Sequence, residues 1–119
     1  MTKSEKKNIY KLLREYLILR DSERCLKCGK TEALALSHIY PKGTHRSMEL
    51  ESDNLKFLCY RCHITWWHKN PIEAHEWLAT AIPKARLDRL KLMANTPHKV
   101  PEYKLLKLWL EQEIKKMKV

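Results

Sequence analysis

Apolar positions recur at helical spacing toward both ends of this 119-residue chain and alternate only briefly in its middle. Ile9, Leu12, Leu13, Tyr16 and Leu17 return every three or four residues, which predicts a helix with one buried stripe and Lys6, Lys7, Lys11 and Arg14 mostly outside. Thr2 and Glu5 stand at capping-box spacing ahead of it, and the helix should stop near Asp21 and Ser22. Leu34-Ala-Leu36-Ser-His38 alternates weakly and reads as a short strand with Leu34, Leu36 and His38 on one face. Pro41-Lys-Gly43 breaks it, and the polar run from there to Asp53 reads as a surface loop. Leu55-Lys-Phe57-Leu58 reads as a second strand, followed by a helix from Tyr60 to about Lys69. Asn70, Pro71 and Glu73 match the N-cap, the first helical position and the box partner of the next helix, which carries Ile72, Trp77, Leu78 and Ile82. Pro83 can open another, with Leu87, Leu90 and Ala94 inward. After the turn at Asn95-Thr-Pro97, a last helix from Pro101 aligns Tyr103, Leu106, Leu110, Ile114 and Met117 opposite a lysine-rich face.

The pattern predicts an α+β chain, mostly helical, in three stretches: a basic amphipathic helix over residues 1–24, a central core over 25–70 and a helical extension over 71–119. Hydrophobic residues make up 44% and charged residues 32%, so the core must be small, and small domains often need a metal to fold. Lys and Arg number 24 against 14 Asp and Glu, a net charge of +10 that favours a polyanionic partner. The surplus lies in residues 1–24 and 84–119, while 25–83 is nearly balanced. It forms either solvated helix faces or arms that grip phosphate. No apolar run approaches the ~20 residues of a membrane span, and the charged start Met1-Thr-Lys-Ser-Glu-Lys-Lys does not read as a signal peptide. The expectation is a cytoplasmic protein with reduced thiols and no membrane partner.

Cys25-x-x-Cys28 and Cys59-x-x-Cys62 are two knuckles, each able to present both sulfurs from one tight turn to a tetrahedral ion. Gly29 supplies the positive φ that such turns often need. Four thiolates leave no open position, so the ion they imply is a structural zinc. Histidine is suited to general-base work because it titrates near neutrality. His38 sits at a strand end, where a rigid element can aim it, while Asn54 taken alone is a turn residue. His63 directly follows Cys62, and His68 lies five positions further on, slightly past the four that align two side chains on an α-helix. Lys42, Arg46, Arg61 and Lys69 are close enough in sequence for phosphate contact. Trp66, Trp67 and Trp77 read as packing around the helix after the second knuckle.

Together Cys25-x-x-Cys28, Leu36-Ser-His38-Ile39-x-Pro41 and Asp53-Asn54-Leu55-x-x-Leu58-Cys59-x-x-Cys62-His63, with His68 beyond, resemble the HNH endonucleases of the ββα-metal fold. The likeness is to phage-type members with two knuckles around the motif, and it covers roughly residues 25–70. It implies an enzyme that nicks or cuts DNA, acting in the host-cell cytoplasm if it is phage-encoded. His38 would be the general base, Asn54 the residue bracing the loop and orienting His38, and His63 a ligand to a catalytic magnesium or manganese ion, with His68 as a second. The family often places Asp, His or Glu before the base as a further ligand; this chain has Ser37, a weak neutral one. With the basic flanks, Ser37 supports a second reading, a zinc-containing module that binds nucleic acid without cutting it. The last helix leaves room for a homodimer, or for docking on another phage or replication protein.

Overall fold

The capping box at the start of the chain forms in full: the Glu5 amide donates to Thr2 Oγ1 at 3.1 Å and the Thr2 amide to Glu5 Oε1 at 2.9 Å. It opens α1 (Lys3–Asp21), whose Ile9, Leu13 and Leu17 are fully buried. The helix stops where predicted, at Ser22, whose positive φ of 71° turns the chain aside. In the computed structural model, which describes residues 1–119, there follow β1 (Leu34–His38), β2 (Leu55–Cys59), a short wide helix (Arg61–Trp67), α2 (Pro71–Ala81), α3 (Lys84–Ala94) and α4 (Tyr103–Met117). No helix is long and apolar enough to cross a membrane.

β1 and β2 form a two-stranded antiparallel sheet with Leu34 opposite Cys59, Leu36 opposite Phe57 and His38 opposite Leu55. Every residue of β2 is buried, because the sheet is covered on both faces. On one side Leu55 and Phe57 pack with Ile9, Leu13 and Leu17 of α1 and with Leu106 and Leu110 of α4. On the other, Leu58 and Cys59 pack with Trp67, Ala74 and Leu78, and with Leu90 of α3. The apolar stripes of the first and last helices thus meet each other and one face of the sheet, and α1 runs along α4.

The stretch between the strands is more than a surface loop. Met48 is fully buried and Leu50 nearly so, carried inward by two tight helical turns, Arg46–Met48 and Ser52–Asn54. Met48 enters the core beside the cysteines and Leu50 enters the α1–α4 core, so one short run plugs both. Arginines from both flanks clamp its end. Arg20 donates to the Ser52 and Leu55 carbonyls at 3.1 and 3.0 Å, Arg86 donates to those of Asp53 and Leu55 at 2.9 and 3.0 Å, and Arg89 pairs with Asp53. Part of the basic surplus on the flanks therefore serves the fold.

One local expectation is corrected and another is sharpened. Asn70 does cap α2 with Pro71 behind it, but its side chain makes no capping bond and turns back to the Thr65 carbonyl at 3.5 Å, so no box forms with Glu73. The helix after the second knuckle is not an α-helix. Residues Arg61–Trp67 wind as a π-helix, with the His68 amide bonded to the His63 carbonyl five residues back at 3.2 Å. In an α-helix residues five apart point about 140° away from each other. The wider winding brings them onto one side.

Candidate metal centre and cleft

Both knuckles are held against the sheet by backbone bonds. The Gly29 amide bonds the Cys25 carbonyl at 2.9 Å, with Gly29 at the φ of 81° that a glycine accepts without strain. The Leu26 amide bonds Phe57 of β2 at 2.9 Å, and Cys59 is the last residue of that strand. The result is four sulfurs, those of Cys25, Cys28, Cys59 and Cys62, all within 4.8 Å of one another. Cys28 Sγ and Cys59 Sγ are 3.7 Å apart. A tetrahedral zinc with Zn–S bonds of about 2.3 Å separates its sulfurs by about 3.8 Å, so the cluster fits a structural zinc. Burial opposes ionisation of Cys25, but backbone amides and the Cys28 thiol overcome it and hold the group at about 7. Burial and the three neighbouring sulfurs push Cys62 upward. All four can be thiolates together only with a cation among them, which would displace the remaining protons.

The loop beyond β1 is pinned by Asn54, which is fully buried. Its Oδ1 accepts from the Tyr40 amide at 2.8 Å, and its Nδ2 donates to the Tyr40 and Met48 carbonyls at 3.0 and 3.1 Å. Replacing Asn54 by Ala strands an amide and two carbonyls in the interior. We expect a stability loss of about 2–4 kcal/mol, read by urea denaturation against wild type. A variant as stable as wild type would show that water reaches these groups.

His38 Nε2 lies 3.0 Å from the Glu49 carbonyl. A carbonyl only accepts, so Nε2 carries the proton and Nδ1 keeps its lone pair. Burial and the charges of Lys42 and Lys56 hold this imidazole below its ordinary 6.5, against the opposing pull of the Glu49 carbonyl and carboxylate. Glu49 is itself clasped by α1. Tyr10 donates to its Oε2 at 2.6 Å and Lys6 to its Oε1 at 3.1 Å, which keeps the carboxylate ionised although burial works the other way. Burial, with Glu49 beside it, raises the Tyr10 phenol.

The π-winding pairs the two later histidines. His63 Nε2 and His68 Nε2 face each other at 3.1 Å, their rings nearly perpendicular at 88°. The separation is that of a hydrogen bond between the two rings, and it is also close to the roughly 3.0 Å between two nitrogens in adjacent positions of an ion with bonds of about 2.1 Å. Burial and the neighbouring charges of His68, Lys56 and His38 lower His63. His38, His63 and His68 line one cleft of about 860 Å³, roofed by Trp67 and Leu78 and walled on the far side by α2 and α3.

Comparison with protein-family models, curated proteins and solved structures finds no match to this chain.

Of the residues marked for phosphate contact, Lys42 lines the cleft, whereas Arg46, Arg61 and Lys69 are exposed elsewhere. Trp66 and Trp77 pack edge to face at 5.0 Å, and Trp66 and Trp67 lie 6.5 Å apart, the packing cluster expected of them. Ser37 is the clearest departure. It points to the opposite face of β1 from His38, is fully buried and accepts from Lys56 Nζ at 3.1 Å, so it is committed to the interior. Lys56 went unrecognised in the sequence. It is fully buried between Ser37 and the face of Trp67, its ammonium 3.4 Å from the ring centroid, and burial depresses its pKa strongly. The apolar residues of β2 on both parities, Leu55 and Phe57 against Leu58, were the signal that this strand has no solvent face. His75 and Lys91 also reach the cleft from α2 and α3; nothing in their local sequence marks them.

Proposed function

We propose that this chain is a metal-dependent endonuclease of the HNH type, hydrolysing phosphodiester bonds of DNA, with β1, β2 and the π-wound helix as its ββα-metal core. The observation that carries the reading is the meeting in one cleft of His38, with its Nδ1 lone pair left free, and the paired nitrogens of His63 and His68. In this reading His38 Nδ1 takes a proton from water, and the oxygen left behind attacks phosphorus as the bond to the leaving oxygen breaks. Glu49, through its carbonyl, holds the ring in the tautomer that can do this, and Asn54 holds the loop from which Lys42 reaches the cleft. A magnesium or manganese ion held by His63 and His68 would neutralise the scissile phosphate and the leaving oxygen. The zinc cluster fixes where the π-wound helix starts, since Cys62 and His63 are adjacent.

The test is supercoiled plasmid incubated with the purified protein and either ion. Wild type should relax or linearise it, and His63→Ala and His68→Ala should each require roughly tenfold more metal for half-maximal cutting. No relaxation by wild type with either ion would sink the reading. The burial of Ser37 against Lys56 favours the second reading, a zinc module that binds nucleic acid without hydrolysis, since β1 then offers no ligand beside the histidines. Salt-sensitive binding with no cutting would select it.

A further inference from the structure

A second groove, of about 580 Å³, runs beside the cleft between α1 and the outer edge of β1. Tyr10 and Leu36 line both, so the two lie side by side. The groove's charge comes from Lys7, Lys11 and Arg14, and no acidic residue lines it. A minority of the basic side chains elsewhere are paired, among them Lys6 with Glu49, Arg20 with Asp21 and Asp53, Arg89 with Glu51 and Asp53, and Lys118 with Glu15; what sets the groove apart is three cations gathered on one wall. Lys7, Lys11 and Arg14 have no carboxylate partner. Their spacing of four and three residues sets them on one face of α1, and the rise from Lys7 to Arg14 spans about 10 Å. Arg14 is partly ordered for the task, its guanidinium lying over the Phe57 ring at 5.2 Å and bonding the Leu34 carbonyl at 3.5 Å. Lys7 and Lys11 remain exposed.

We propose that this groove is a track for the nucleic-acid strand that leads away from the cleft, with Lys7, Lys11 and Arg14 holding successive backbone phosphates. The proposal rests on reading the cleft as the place where a phosphate is held. A row of cations with no acidic residue beside it attracts a polyanion with regularly spaced charge, and the wall shared with the cleft at Tyr10 and Leu36 places that polyanion next to it. Contacts of this kind position the strand without reading its sequence, since they go to phosphate and not to base edges. The N-terminal helix would thereby do two jobs on opposite flanks of one stripe, with Ile9, Leu13 and Leu17 closing the core and the lysines meeting the substrate.

The experiment uses the full chain carrying His38→Ala, so that bound DNA stays intact, and a short fluorophore-labelled DNA duplex followed by anisotropy over a series of salt concentrations. Adding Lys7→Gln and Lys11→Gln should weaken binding roughly tenfold at moderate salt and lower the salt slope by about two. Lys7→Arg with Lys11→Arg should bind as the parent does. The pair Lys104→Gln and Lys115→Gln, on exposed positions of α4, should change affinity far less. The glutamine pair in α1 binding with the parent's affinity and slope, or the α4 pair weakening it as much, overturns the track. Neither outcome touches cleavage, which the plasmid assay reads on the wild-type chain. A wild type that cuts plasmid while the α1 pair leaves binding unchanged removes the track alone; a chain that neither binds nor cuts DNA removes both.

Discussion

Cys59→Ser, or a strong chelator added to the wild-type chain, is expected to abolish cooperative folding. Cys59 ends β2 and sits in the same core as Leu58, Trp67 and Leu78, so the sulfur cluster joins both knuckles to the packed interior. Structural zinc contributes roughly 10–16 kcal/mol in zinc-finger peptides, whereas a whole domain is stable by only about 5–15 kcal/mol. The interior is also small, with 23 of 119 residues buried. Little is left to hold the two knuckles together without the ion. Thermal melts followed by circular dichroism should lose their sigmoid transition on chelation and regain it when zinc is restored. A melting temperature indifferent to chelator would show that packing suffices and that the four sulfurs meet for another reason.

His38→Ala should cut plasmid about 10²–10⁴-fold more slowly than wild type while keeping its fold. The ring makes a single hydrogen bond, to the Glu49 carbonyl, so the stability cost should be about 1 kcal/mol. The same residue sets the pH dependence. Only the unprotonated imidazole can accept a proton, and His38 is held below its ordinary 6.5, first by burial and then by Lys42 and Lys56. Wild-type cleavage should therefore rise with pH along a limb lying below 6.5 and be level through neutrality. Stability follows the same sign: the unfolded chain takes up the proton first, so His38's contribution is present above pH 6.5 and is lost as pH falls through its lower folded value. An acid limb centred above 6.5, or a His38→Ala chain that cuts as fast as wild type, would remove His38 as the base.

How much of this was legible in the chain depends on the range of the interaction. The Thr2–Glu5 cap, the stripe of Ile9, Leu13 and Leu17, the strand from Leu34 to His38 and the two knuckles rest on neighbours within a few residues, and all stand where the spacing predicted. Lys56 is different, since its burial depends on Trp67 and Ser37 arriving from other elements, and a lysine in a short strand ordinarily reads as a solvent position. Met48 and Leu50 were hidden in the same way, lone apolar residues in a polar run whose partners lie in two separate cores. The π-winding was legible only as a puzzle, two histidines one residue too far apart for an α-helix. Asn70 misled because its side chain had a competing partner in the preceding turn, the Thr65 carbonyl.

The strand from Leu55 to Cys59 has one further consequence. Because it is the common wall of both interiors, neither the sulfur-bearing side nor the α1–α4 side possesses a complete enclosure alone. Exchanging α1 for a helix from another protein would uncover Phe57 and, from behind, loosen the seat of Cys59. The two halves of this molecule are tenants of a single partition, and neither can be remodelled without the other's consent.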